Sequence, residues 1–232
     1  MYYPLWLIYA AAVCQKNGFD VEFLDAPATP LNNDQSMDFI CKHGEETKLF
    51  VFETSTPSSY SDVKFIEQVK KKYPDAVTLL VGTNPSALPE ETLGLSTSID
   101  AICRHEFDYI VRDVAKSIRD GKEYKSVLGL TYRDADGKIQ SDPDMPYIED
   151  LDEIPFASRF IKEYLNYKDY FFGASYYPEI QIFIGRGCMA HCNFCVYPQT
   201  LHGHQYRLRS PQNVVDEFQY IADNFPDVKE IV

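Results

Sequence analysis

Leu49-Phe-Val-Phe-Glu53, the polar run Thr54–Tyr60, the segment Ser61–Lys72, then Val77-Thr-Leu-Leu-Val81 and Gly82-Thr-Asn-Pro85 decide the reading of the fold. LFVFE and VTLLV are short, nearly continuous apolar runs, the pattern of strands covered on both faces. Between them, Ser61 is a helix-capping residue and the chain reads as a helix through Lys72. Gly82–Pro85 has the composition of a turn.

The same alternation extends outward. Ile99–Cys103 is the next predicted strand, and Glu106–Arg119 a helix with Ile110, Val111, Val114 and Ile118 on one face. Upstream, Pro4–Asn17 reads as a helix ended by Gly18, Val21–Leu24 as a short strand, and Asp34–Lys42 as a helix. Strand and helix in alternation predict an α/β fold with a doubly wound parallel sheet. Such a domain ordinarily opens on a strand. This one opens on a helix, so the first, central strand is expected to be missing. Ligands of such sheets lie at the carboxyl ends of the strands, here Thr54–Tyr60, Gly82–Pro85 and Arg104–Glu106. Ordinary strand-to-helix turn chemistry accounts for these loops equally well.

Downstream, Val127–Tyr132 and Lys138–Gln140 read as a hairpin around Asp134-Ala-Asp136-Gly137. Ser141–Phe160 is acidic and Pro-rich, a linker. Ile161–Pro178 gathers Tyr164, Tyr167, Tyr170, Phe171, Phe172, Tyr176 and Tyr177, for packing or to line a pocket. Gln181–Ile184 is a predicted strand. Ser210-Pro211 opens a helix whose apolar face is Val214, Val215, Phe218, Ile221 and Phe225, and Asp227–Val232 begins a strand. The expected organisation is a first domain over 1–140, a linker over 141–178 and the start of a second domain over 179–232.

The 232 residues suffice for one large or two modest domains, and 45% apolar content permits a buried core. A net charge of −13 argues against nucleic acid as a partner, since phosphate binding needs surplus Lys and Arg. The apolar run Leu5–Cys14 is far short of the roughly 20 residues a spanning helix needs. No basic region precedes it as in a secretory signal. A cytoplasmic protein that does not span a membrane is expected.

Cys14, Cys41 and Cys103 are scattered, whereas Cys188-Met-Ala-His-Cys192-Asn-Phe-Cys195 clusters three thiols in one loop. Clustered cysteines in a chain that is neither small nor visibly secreted point to metal. Three thiolates on a 4Fe–4S cluster leave one iron with an open position. A structural zinc site, completed by His191, His202 or His204, is the other chemistry these residues fit. Gly185 and Gly187 allow a sharp turn before the loop, and Phe194 could cover the cluster or a bound cofactor. Arg207 and Arg209 could hold a carboxylate or face solvent.

Gly185-Arg-Gly-Cys188-x3-Cys192-x2-Cys195, with an aromatic before the last cysteine, resembles the radical S-adenosylmethionine (SAM) superfamily. The segments Gly82-Thr-Asn-Pro-Ser86-Ala-Leu-Pro-Glu90-Glu and Arg104-His-Glu106 extend the resemblance to radical SAM proteins with an N-terminal cobalamin-binding domain. Tyr197-Pro-Gln199-Thr and Gly203-His-Gln-Tyr206-Arg-Leu-Arg209-Ser-Pro211 are similar to hopanoid-biosynthesis members, and more distantly to anaerobic magnesium-protoporphyrin monomethyl ester cyclases.

The resemblance implies that Cys188, Cys192 and Cys195 ligate a 4Fe–4S cluster, with SAM on the fourth iron and Phe194 beside them. Reductive cleavage of SAM would give a 5′-deoxyadenosyl radical, with flavodoxin or ferredoxin as electron donor and a small or lipid-like molecule as substrate. Methylation, rearrangement and cyclisation are the outcomes open to it. Catalytic side chains are not identified. It also implies a cobalamin-binding-like first domain followed by the first βα unit of a radical SAM partial barrel. Thr54, Ser55, Thr56, Gly82, Thr83, Asn84, Arg104 and Glu106 are its candidate cobalamin residues. The Asp-x-His-x-x-Gly motif of many cobalamin domains is absent, so cobalamin would bind without that His ligand. A chain holding only the first barrel unit is expected to be inactive alone. The rival is a ligand-binding or zinc-binding module without catalysis.

Overall fold

The computed structural model describes residues 2–44 and 46–232. Its contacts divide the chain into two units, each built from separated segments. One comprises Met1–Gly44, Glu149–Arg186 and Arg207–Val232, the other Glu45–Ile148 and Gly187–Tyr206.

The first unit opens with α1 (Leu5–Lys16) and α2 (Asn33–His43). The apolar residues of α1 make it a core helix, burying Leu5, Ile8, Tyr9, Val13 and Cys14. Helix α2 starts on a capping box. The Asn32 side chain accepts the Gln35 N–H at 2.9 Å, and the Gln35 side chain accepts the Asn32 N–H at 3.0 Å.

The second unit holds β1 (Leu49–Glu53), α3 (Ser59–Lys72), β2 (Val77–Val81), α4 (Thr83–Ala87), α5 (Pro89–Gly94), β3 (Ala101–Cys103), α6 (Asp108–Arg119), β4 (Leu130–Arg133) and β5 (Ile139–Ser141). They form one sheet in the order β1-β2-β3-β4-β5. The first three strands are parallel, with Leu49 opposite Val77 and Leu79 opposite Ala101. Then β4 runs antiparallel to β3, and β5 to β4. The hairpin legible in the sequence is therefore the antiparallel margin of the parallel sheet, a common arrangement in α/β folds. Val63 and Ile66 of α3 pack with Leu80, Leu93, Ile99 and Ile102 to make the core. Asp100 accepts from Thr78 N–H and Lys70 Nζ, each at 2.7 Å, which ties α3 to the amino end of the strands.

The first unit continues with α7 (Ala157–Tyr164), β6 (Glu179–Ile180), β7 (Gly185–Arg186), β8 (Arg207–Leu208), α8 (Pro211–Asn224) and β9 (Glu230–Ile231). β6 pairs parallel with β9, and β7 antiparallel with β8. Ser210 caps α8 as expected, its Oγ accepting the Asn213 N–H at 3.2 Å.

Some local expectations change. Ser61 does not cap α3: the helix begins at Ser59, and the Ser61 hydroxyl, inside the first turn, donates back to Ser58 O at 2.8 Å. Val21–Leu24 is irregular and has no ladder partner among the described residues. Phe23 instead packs edge-on against Phe160, with ring centroids 5.2 Å apart. The strand read at Gln181–Ile184 is not formed: these residues connect β6 to β7, and the Phe183 N–H turns to the Tyr9 hydroxyl at 3.0 Å. Gly82–Pro85 is not a simple turn. Gly82 adopts φ +114°, and Thr83 starts α4 directly after it.

Candidate cofactor site

The cysteine loop is held by its backbone. Gly187 has φ +85°, and a Cβ there would collide with the Gln205 carbonyl oxygen. Glycine is thus required on both counts. The Cys188 N–H donates to Gly203 O at 3.2 Å, and Cys195 N–H to Cys192 O at 3.1 Å. Beyond Cys195 the chain forms a π-helical turn, Pro198–His202, in which Thr200 N–H and Oγ bond to Val196 O at 3.0 and 2.9 Å. Single π turns concentrate at functional sites.

All six cysteines are free thiols. Cys14 and Cys103 are buried, and burial pushes the Cys103 thiol well above its ordinary range despite the Arg104 charge beside it. Cys103 is therefore a core residue rather than a ligand. Cys188 and Cys192 are exposed and Cys195 is half-buried. Their side chains share one loop but are not gathered: among the described residues no three His, Cys, Asp or Glu side chains converge in metal-binding geometry. Phe194 is 91% exposed and covers nothing in this structure. The rings of His191 and His204 stack 4.1 Å apart, and His204 Nδ1 contacts Cys188 O at 3.1 Å.

The candidate residues at the carboxyl edge of the sheet divide into two groups. Thr54 is buried, and its N–H donates to Val81 O at 2.9 Å. Its hydroxyl bonds to Asp62. A Cβ on Gly82 would strike the Thr54 carbonyl oxygen, so this glycine lets β1 and β2 close together. Asn84 Nδ2 donates to Thr92 Oγ at 3.2 Å. Ser55 and Thr56 lie exposed, and Thr83 half-buried, at the mouth of this edge.

Arg104 and Glu106, by contrast, are committed to the protein. Arg104 donates from Nε and Nη2 to Asp144 Oδ1 at 3.0 and 2.8 Å. Its Nη1 donates to Leu130 O at 2.7 Å and Thr131 Oγ at 2.6 Å, and its Nη2 also reaches Asp142 O. Burial raises the Asp142 carboxyl, partly offset by Arg104. Glu106 accepts the Ile148 N–H on Oε2 and meets His202 Nδ1 on Oε1, both at 2.9 Å.

The last contact joins two stretches that sequence reasoning kept in separate domains. His202 belongs to the cysteine loop, and Glu106 follows β3. Helix α4 packs on the same π turn. Gly203, at φ +69°, lies so close to Tyr147 that a Cβ would come within 2.6 Å of its ring. The loop thus sits on the carboxyl edge of the sheet, within one unit. Sequence reasoning missed Tyr147 and the role of His202. It also missed His105, whose φ of +61° is unusual for a residue with a side chain. The Gly203-His204 turn signal beside His202 was the visible hint.

Residues 1–115 match the family model described as B12 binding domain. These residues belong to the B12 binding domain family. The B12 binding domain therefore takes in α1 through the larger part of α6, including every carboxyl-edge residue discussed above. An uncharacterized methyltransferase of Pyrococcus horikoshii is 28% identical over 98% of the chain and 47% of its own length. The anaerobic magnesium-protoporphyrin IX monomethyl ester cyclase of Rubrivivax gelatinosus is 30% identical over 94% of the chain and 39% of its own length. The chain spans less than half the length of these relatives. Among solved structures, the cobalamin-dependent S-adenosylmethionine radical enzyme OxsB, with aqua-cobalamin and S-adenosylmethionine bound, superimposes with a TM-score of 0.76 at 16% identity. It is covered over 99% of this chain and 30% of its own. The radical S-adenosylmethionine methyltransferase TsrM of Kitasatospora setae gives a TM-score of 0.70 at 16% identity, over 96% of this chain and 43% of its own. The α/β fold, with its B12 binding domain, is that of cobalamin-type radical SAM proteins.

Proposed function

We propose that the chain is the cofactor-binding part of a cobalamin-dependent radical SAM enzyme that acts on an unactivated carbon of a small or lipid-like molecule, methyl transfer foremost. The observation that carries this reading is the seating of the cysteine loop on the carboxyl edge of the B12 binding domain through His202 and Glu106. That edge is where open α/β sheets take ligands.

The donor set fits a thiolate-held cluster. Three free thiols stand on one loop, none engaged in a disulfide, and two are exposed to an incoming metal. Cys188, Cys192 and Cys195 would hold a 4Fe–4S cluster. Phe194 would fold over it or over SAM. The corrinoid would lie against Ser55, Thr56 and Thr83, where the edge is open, with the buried Thr54, Gly82 and Asn84 shaping the backbone beneath. Such a cluster with SAM supplies one-electron generation of a carbon radical, and a corrinoid supplies a methyl carrier. The chain's own contribution is to hold both sites at one sheet edge. A flavodoxin- or ferredoxin-like donor would bring the electron, which suits a cytoplasmic enzyme. Among the described residues no helix is long and apolar enough to cross a membrane.

Anaerobic titration with hydroxocobalamin, followed by visible absorption and gel filtration, tests the corrinoid half of the reading. Co-elution of about one corrinoid per chain supports it. Corrinoid that separates completely from a folded chain contradicts it.

A further inference from the structure

Glu106 and His202 form a buried contact whose side chains are only 3% and 12% exposed. A carboxylate so buried is stable only with hydrogen-bond partners on its oxygens. Ile148 N–H and His202 Nδ1 provide them, each at 2.9 Å. His202 in turn ends the π-helical turn that begins just after Cys195, and Thr200 and Leu201 of that turn are buried. The next residue, Gly203, holds the other end of the motif, its carbonyl accepting the Cys188 N–H at 3.2 Å. One dipeptide, His202-Gly203, thus touches Glu106 by its imidazole, Tyr147 by its backbone and Cys188 by its carbonyl.

We infer that Glu106 and His202 are positioning residues: through Gly203 they fix Cys188 and the cluster loop on the edge of the B12 binding domain, and Glu106 makes no contact with the corrinoid. This rests on the cluster assignment above for its consequence, though the contact itself does not. A rigid seat for the backbone of the loop would leave only the three side chains to be drawn together when the cluster binds, and would tie the loop's order to the state of the domain edge.

The test compares wild type with His202→Ala and His202→Asn, reconstituted anaerobically with iron and sulfide. Asn keeps a polar donor near the place of Nδ1, and Ala does not. Iron release to a chelator, the SAM-induced change in the reduced cluster's EPR signal, and amide exchange over 187–206 in iron-free chains are measured. The alanine chain is expected to lose iron and to exchange the Cys188 amide about tenfold faster, as loss of a charged buried hydrogen bond implies. Its SAM-induced EPR change should be blurred. The asparagine chain should stay within about twofold of wild type. Equal behaviour of wild type and alanine, or equal damage in both variants, overturns the inference. A wild type that binds no iron removes the cluster assignment instead, and the exchange data alone then decide whether the seat exists. Should the alanine chain not fold, Glu106→Gln takes its place, with faster loop exchange expected and an unchanged loop contradicting it.

Discussion

Gly187 owes its identity to two demands that coincide, a left-handed backbone and contact with the Gln205 carbonyl. Gly187→Ala is expected to disrupt the loop at a cost of about 1–3 kcal/mol and to lower iron uptake sharply, measured by iron content against thermal stability. Arg209 offers a second prediction. It donates to Glu217 Oε2 at 2.5 Å, to Phe183 O at 3.0 Å and to Asn213 Oδ1 at 2.6 Å, while Glu217 also accepts from Ser158 N–H and Oγ. Arg209→Ala would strand a fully buried carboxylate and is expected to cost about 3–5 kcal/mol in denaturant unfolding. In the sequence both Arg104 and Arg209 were open to ligand-binding roles. The structure gives them carbonyls and carboxylates of their own chain. A sequence shows that a guanidinium is present, but not which distant backbone oxygens will surround it. The three cysteines stand out in the sequence because their spacing is local, and the structure keeps them as free thiols on one loop.

Long elements were legible for a similar reason. LFVFE and VTLLV became β1 and β2, and α6 buries Ile110, Val111 and Val114 of its expected apolar face. Helix α8 departs from its pattern: Ile221 and Phe225 are buried, but Val215 and Phe218 are exposed, and Glu217 is buried because Arg209 and Ser158 partner its carboxylate. Strands of two residues, such as β6 and β7, have no such signature. The hydroxyl of Tyr9 on α1 takes the Phe183 N–H that a longer strand would have used. Helix α8 supplies a clean test of capping. Ser210→Ala removes the bond to Asn213 N–H and is expected to lower stability by about 1 kcal/mol, seen as a lower Tm. An unchanged Tm would mean that Pro211 and the Ser210 backbone suffice to start the helix.

Across the chain, the family resemblance was readable while the partition into units was not. Each unit is assembled from segments far apart in sequence, and linear patterns do not report which segments meet. The parallel sheet, the B12 binding domain and the cysteine motif nevertheless point the same way, as do relatives of which this chain spans less than half. The measurement that decides the account is anaerobic reconstitution with iron and sulfide, followed by iron analysis and EPR of the reduced chain with and without SAM, in wild type and Cys192→Ala. The account predicts about four irons per wild-type chain, a reduced-cluster signal that SAM perturbs, and loss of both in the variant. Stoichiometric zinc with no response to SAM, or iron retained unchanged in Cys192→Ala, would contradict it.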